Sequence, residues 1–182
     1  MIYVCLADGF EELEALAPVD ILRRAGIPVQ MLGVGGRRVT GAHGIPVEAD
    51  AVAEEASPDT MTGLVLPGGV PGTPHLEASA AVQRLLEEAV RRELLIGAIC
   101  AAPSILGHKG LLRGRRATCF PGYEPELTGA EVCGELVVRD GRFITGKGAG
   151  AAVAFALQLV EYLTSPEQAE AIRAAMQCGN PA

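Results

Sequence analysis

The chain has 182 residues, 49 % of them apolar, no tryptophan and a formal net charge of −7 at neutral pH. This length suits a single domain, residues 1–182, with a core that needs no disulfide or metal staple, and the acidic balance excludes a basic nucleic-acid surface. The five cysteines (Cys5, Cys100, Cys119, Cys133, Cys178) form no CxxC pair, which excludes zinc-ribbon and dithiol motifs; with no signal-like leader the expected compartment is the cytoplasm, and no apolar run reaches the ~18 residues of a membrane span.

Met1–Leu6 reads as a strand buried on both faces, because its apolar residues are continuous rather than alternating. Ala7-Asp8-Gly9-Phe10 is the turn after it. A helix then opens with Glu11, Glu12 and Glu14 in its first turn, where the dipole favours carboxylates. Pro18 cannot donate to the Glu14 carbonyl, so a kink or irregular turn is expected near Glu14. The helix stops at Ala25-Gly26, and Pro28–Val34 is the second strand of a β-α-β start, hence of a parallel pair. Arg37–Val47 is expected to be a hairpin, Ala49–Thr62 irregular with a helical turn near Asp59, and Gly63–Leu66 a strand followed by the turn-rich Pro67–Pro74.

Ser79–Glu93 carries the stripe Val82, Leu85, Leu86, Ala89, Val90 of an amphipathic helix, with Ser79 as N-cap. Leu94–Ala98 is a strand that runs into Cys100. Farther on, Arg116–Cys119 is a short strand, Glu131-Val132 and Leu136–Arg139 read as strands around a turn, and Asp140-Gly141 signals a hairpin into Arg142–Thr145. Gly146-Lys147-Gly148-Ala149-Gly150 lacks P-loop and dinucleotide-binding spacing and reads as a tight strand-to-helix turn. The helix Ala151–Leu163 is apolar on most sides, as expected of a central or subunit-contact helix. Ser165-Pro166-Glu167-Gln168 opens a last helix with a capping box and an N1 proline. The alternation predicts an α/β three-layer sandwich with a mostly parallel sheet. Ligands of such folds sit outside the carboxyl ends of the strands. There stand the turn after Leu6, the Pro67-Gly68-Gly69 turn and Cys100.

Cys100 ends an apolar strand and is followed by Ala101-Ala102-Pro103 and a helix-like run. That is the layout of a nucleophile on a sharp strand-to-helix turn, with the helix N-terminus expected to favour the thiolate; the alternative is a small buried hydrophobe. The amides of Gly68, Gly69 and Ala101 are candidate donors to a bound oxygen, against the alternative that Pro-Gly-Gly is only a tight turn. Glu14 is the candidate acid–base group, held protonated beside the sulfur by burial and like charge, against a solvated acidic first turn. His43, His75 and His108 have no spacing that ties any of them to Cys100 as a base.

The motifs Ala7-Asp8-Gly9-Phe10-Glu11-Glu12-Leu13-Glu14 with Pro18-Val19-Asp20, Leu66-Pro67-Gly68-Gly69, Ala98-Ile99-Cys100-Ala101-Ala102-Pro103 and Gly148-Ala149-Gly150 occur in this order. Together they resemble the ThiJ/PfpI (DJ-one/PfpI) superfamily, nearest its DJ-one/YajL-like branch. The resemblance implies a flavodoxin-like sandwich, a homodimer, a reactive and oxidation-sensitive cysteine at Cys100, a protonated glutamate at Glu14 bonded to it, and backbone donors at Gly69 and Ala101. It implies a cofactor-free, metal-free glyoxalase III or deglycase acting on a 2-oxoaldehyde or an early glycation adduct. An oxidation-sensing protein or chaperone using the same cysteine is the alternative. A PfpI-type peptidase is disfavoured, because Phe120 in Cys119-Phe120-Pro121 stands where some relatives carry a histidine. His43 falls where relatives tend to carry an arginine near the subunit contact.

Overall fold

The structure, a computed structural model, describes residues 1–179. Three strands of unbroken apolar character, β1 (Ile2–Leu6), β6 (Gly63–Leu66) and β7 (Leu95–Ile99), make its centre, and β2 (Val29–Gly33), which carries Gln30, lies beside β1. Between β1 and β2 runs α1 (Glu12–Arg24). The hairpin β3 (Arg38–Thr40) and β4 (Pro46–Glu48) forms as expected, antiparallel and outside the main sheet. β5 (Ala51–Val52) lies in the stretch expected to be irregular; it adds to the edge beside β2. The helical turn expected near Asp59 is a 3₁₀ turn over Pro58–Thr60.

The turn-rich stretch after β6 holds a helix, α2 (Gly72–Ala78), which its proline and glycine content conceals. Ser79 then serves two helices. Its N–H closes α2 on His75 O (3.1 Å), and its hydroxyl caps α3 (Ala80–Arg91) by accepting from Val82 N (3.3 Å). α4 (Pro103–His108) follows β7. β8 (Arg116–Ala117) pairs in parallel with β9 (Glu131–Val132) in a small separate sheet. The expected partnership of Glu131-Val132 with the next strand is therefore wrong: strand pairing here is made over a long loop, not a local turn. β10 (Val137–Asp140) and β11 (Phe143–Gly146) form the hairpin expected at Asp140-Gly141. The chain finishes with α5 (Ala152–Leu163) and α6 (Pro166–Ala175), the latter capped by Ser165, whose hydroxyl accepts from Gln168 N (3.3 Å).

The seven-stranded sheet has the order β10-β11-β7-β6-β1-β2-β5, parallel except for β10. Alternate side chains of β1 explain the layers. Ile2, Val4 and Leu6 enter one core with α1, α5 and α6; Tyr3 and Cys5 enter the other with α2, α3 and α4. α1 is continuous through Pro18, from Glu12 to Arg24, and packs against α5. α5 owes its apolar character to that sandwiched position between α1, α6 and the sheet. No helix among the described residues is long and apolar enough to cross a membrane.

Candidate active site

β6 and β7 are hydrogen-bonded neighbours in the middle of the sheet, so their carboxyl ends bring Gly68-Gly69 and Cys100 together. Cys100 has φ = 65°, the left-handed region that a non-glycine residue enters at a cost of ~1 kcal/mol or more. Main-chain bonds hold it there. Its N–H donates to Gly146 O (2.9 Å), and its carbonyl accepts from Phe120 N (2.9 Å). The amides of Ala101 and Gly69 lie close enough to the thiol to favour its ionised form. Behind these donors stand two residues with no evident motif. Ser104 Oγ donates to Ala101 O (2.7 Å), and Thr73 N donates to Gly69 O (2.8 Å).

Glu14 reaches the same place from α1. Glu11 caps the helix by accepting from Glu14 N (3.0 Å), which fixes the first turn and aims Glu14 inward. The Glu14 side chain is fully buried. Its Oε2 accepts from Gly68 N (2.9 Å), while Oε1 is buried without a partner of standard hydrogen-bond geometry. Burial pushes the Glu14 carboxyl up to about 7, with the neighbouring Cys100 and the Gly68 amide pulling it down.

Gly68 is thus part of the site, but not as expected. Its amide is committed to Glu14, leaving Gly69 and Ala101 as the donors at sulfur. A side chain at Gly68 is excluded on two sides, since its Cβ would lie 2.6 Å from both Cys100 Cβ and Glu14 Oε2. The thiol also departs from expectation. Burial, then the charge of Glu14 and its hydrogen bond, push Cys100 up to about 12, against the lowering effect of the Ala101 and Gly69 amides. The six-residue α4 starts only at Pro103, too little dipole to offset desolvation. Cys100 and Glu14 consequently titrate as a pair rather than as an independent thiolate and acid.

The histidines are occupied elsewhere. His43 Nδ1 pairs with Glu12 (2.8 Å), His75 Nδ1 with Asp8 O (2.8 Å), and His108 bridges Glu77 (2.6 Å) and Glu126 (2.8 Å). Among the described residues, Glu11, Glu12 and His43 are the grouping with metal-ligand spacing, and there Glu12 already accepts from both His43 N and His43 Nδ1.

An α/β sandwich of flavodoxin type, with a strained cysteine at the end of a central strand and a buried carboxyl against it, defines the class of this protein. The chain belongs to the DJ-1/PfpI family, whose model matches residues 1–162. It is 36 % identical to protein dj-1beta of Drosophila melanogaster over 172 residues, 93 % of this chain and 92 % of that one. It is 34 % identical over 164 residues to a Caenorhabditis elegans protein named glutathione-independent glyoxalase DJR-1.2, covering 89 % of this chain and 87 % of the other. The solved structure of oxidized Toxoplasma gondii DJ-1 superposes with a TM-score of 0.93 at 32 % identity, over 97 % of each chain.

Proposed function

We propose that the protein is a glutathione-independent glyoxalase that converts 2-oxoaldehydes to 2-hydroxy acids with Cys100 as nucleophile and Glu14 as proton carrier. The observation that carries this reading is the contact of a buried, proton-retaining carboxyl with a thiol that has two amides aimed at it. The name of the Caenorhabditis elegans relative agrees with it. Glu14, as carboxylate, takes the thiol proton while sulfur bonds to the aldehyde carbon and the carbonyl π bond becomes an oxyanion beside the Gly69 and Ala101 amides. The same proton then passes from Glu14 to that oxygen, giving a hemithioacetal. Glu14 next removes the hydrogen on the former aldehyde carbon and returns it to the adjacent carbon, while the hydroxyl proton of the hemithioacetal passes to the neighbouring carbonyl oxygen. The first carbon is oxidised to a thioester and the second reduced to an alcohol, so no outside oxidant or reductant enters. Water cleaves the thioester, releasing the 2-hydroxy acid and the free thiol. Early glycation adducts would enter by the same carbonyl chemistry after releasing their aldehyde, and a homodimer in solution is part of the proposal.

The test is methylglyoxal consumption without glutathione, with lactate quantified, for the wild type, Cys100→Ser and Glu14→Gln. Catalytic lactate formation abolished by the first change and reduced by ~10²-fold or more by the second is expected. Stoichiometric aldehyde uptake without lactate overturns the reading. A redox-sensing role is the second reading. Its support is that the Ala101 and Gly69 amides and a protonated Glu14 would also hold a sulfinate, and that a relative has been solved in oxidized form.

A further inference from the structure

The reaction above makes no use of His108, the last residue of α4. Its ring lies between two carboxylates on different elements. Nδ1 donates to Glu77 Oε1 of α2 (2.6 Å), and Nε2 donates to Glu126 Oε2 (2.8 Å) in the 3₁₀ turn Glu124–Glu126. Each of the three elements joined in this way is also bonded to the elbow. α2 reaches Gly69 O through Thr73 N (2.8 Å), and α4 reaches Ala101 O through Ser104 Oγ (2.7 Å). The 3₁₀ turn reaches Cys100 O through a run of amides: Glu126 N to Tyr123 O (3.0 Å), Tyr123 N to Phe120 O (3.0 Å) and Phe120 N to Cys100 O (2.9 Å). Gly107 lets the turn approach α4, because a Cβ there would overlap Glu126 O. Even so the three elements leave a cavity of about 380 Å³ between them, with Glu77, His108, Tyr123 and Glu126 in its wall. The other ionisable groups nearby are engaged elsewhere. His75 of α2 bonds Asp8 O (2.8 Å), Lys109 pairs with Glu87 (3.8 Å), and Glu124 accepts from Gly122 N (2.6 Å). His108 therefore answers to Glu77 and Glu126, whose hydrogen bonds hold it protonated above its ordinary range.

Both ring nitrogens donate only in the imidazolium. A neutral ring keeps one N–H and turns a lone pair toward the other carboxylate, so one contact is lost when the proton leaves. We propose that His108 is a pH-sensitive tie: protonated, it clamps α2 and the Glu124–Glu126 turn to α4, and on losing its proton it releases the turn. The turn is the side released because its contact is the longer, and because Glu126 is the better hydrated, 51 % exposed against 37 % for Glu77. The cavity gives the freed carboxylate room. Loosened with it is the bond from Phe120 N to the Cys100 carbonyl, one of the two main-chain bonds that hold the strained residue. The inference holds whatever reaction Cys100 performs.

Amide hydrogen exchange read by mass spectrometry tests it, with wild type and variants compared at the same pH so that the intrinsic exchange chemistry cancels. At a pH of about 6, where the histidine is protonated, the peptide spanning residues 118–127 should be protected several-fold more in the wild type than in His108→Gln or Glu126→Gln. At a pH of about 9, where it is neutral, the three should coincide. Over the same labelling times a β1 peptide should stay unexchanged in all of them, which marks the release as local. Glu77→Gln is the opposite case. Its neutral amide can donate to the bare ring nitrogen, which leaves the one remaining N–H of His108 on Glu126. In that variant the peptide should stay protected at both pH values. A difference between wild type and His108→Gln that is equal at the two pH values would make His108 a fixed structural contact and overturn the inference. No difference at either pH, or a Glu77→Gln chain that loses protection with pH as the wild type does, would overturn it as well. Since no turnover is read, none of these results bears on the glyoxalase reading.

Discussion

Glu14 keeps its proton up to a pH of about 7, whereas a solvated glutamate loses it near 4.5. Within that window the folded chain binds the proton and the unfolded chain has released it. The folded state is the tighter proton binder, so stability falls as pH rises across the window and levels off above it. At about 1.4 kcal/mol per unit the loss is roughly 3 kcal/mol. Glu14→Gln cannot titrate. Its urea-unfolding free energy should therefore gain on the wild type by a few kcal/mol between about pH 5 and about pH 8; a constant difference would refute the buried-proton account. The proposed reaction has the opposite slope, because in it the Cys100–Glu14 pair loses one proton before sulfur attacks. Alkylation of Cys100 should accelerate through a pH of about 7 in the wild type, and Glu14→Gln should remove that inflection, read with iodoacetamide by intact mass. Cys100 and Glu14 were both legible in the sequence, one from its place between an apolar run and a helix start, the other from its family motif. The upward direction of the thiol and the commitment of the Gly68 amide were not, since desolvation and the choice of acceptor depend on chains that meet only in three dimensions.

The elbow depends on β6 and β7 ending in register, with a glycine where they nearly touch. Gly68→Ala would place a methyl 2.6 Å from Cys100 Cβ and 3.0 Å from Ile99 O, neither of which can swing aside. Overpacking of this kind costs about 1–3 kcal/mol. The variant should lose that much in urea unfolding and change the Cys100 alkylation rate with it. Ser165→Ala is the contrasting case. It removes the cap of α6, costs about 1 kcal/mol, and should leave alkylation untouched because α6 lies in the layer away from α4. A matching loss of reactivity in both would mean that reactivity merely follows stability. Elements with a strong period or a cap, α3 and α6 among them, could be read from the chain directly. α2 could not, because its prolines and glycines look like a turn. The pairing of β8 with β9 also escaped, because registry between short strands far apart leaves no local mark.

In the whole molecule, two cores share one sheet, and β1, β6 and β7 lie between them with every residue buried. The β3–β4 hairpin and the β8–β9 pair stand outside that sheet with mostly exposed residues. Amide exchange should follow this division. Peptides from β1, β6 and β7 should exchange only with global unfolding, and those from β8 and β9 orders of magnitude sooner; uniform protection would contradict the layered account. The alternation of strands and helices made this architecture readable in advance. The order of the strands was not, because a short edge strand such as β5 has too few residues to announce itself.

The left-handed backbone of Cys100 bears on how such a sequence changes over time. A lineage that no longer needed the thiol would gain stability by exchanging Cys100 for glycine and Glu14 for a neutral residue. It would gain nothing by changing Gly68 or Gly69, whose missing side chains are required by the neighbouring main chain and the buried carboxyl. Glycines at those two positions therefore answer to the fold, whereas the strained Cys100 and the buried Glu14 are both a cost to it.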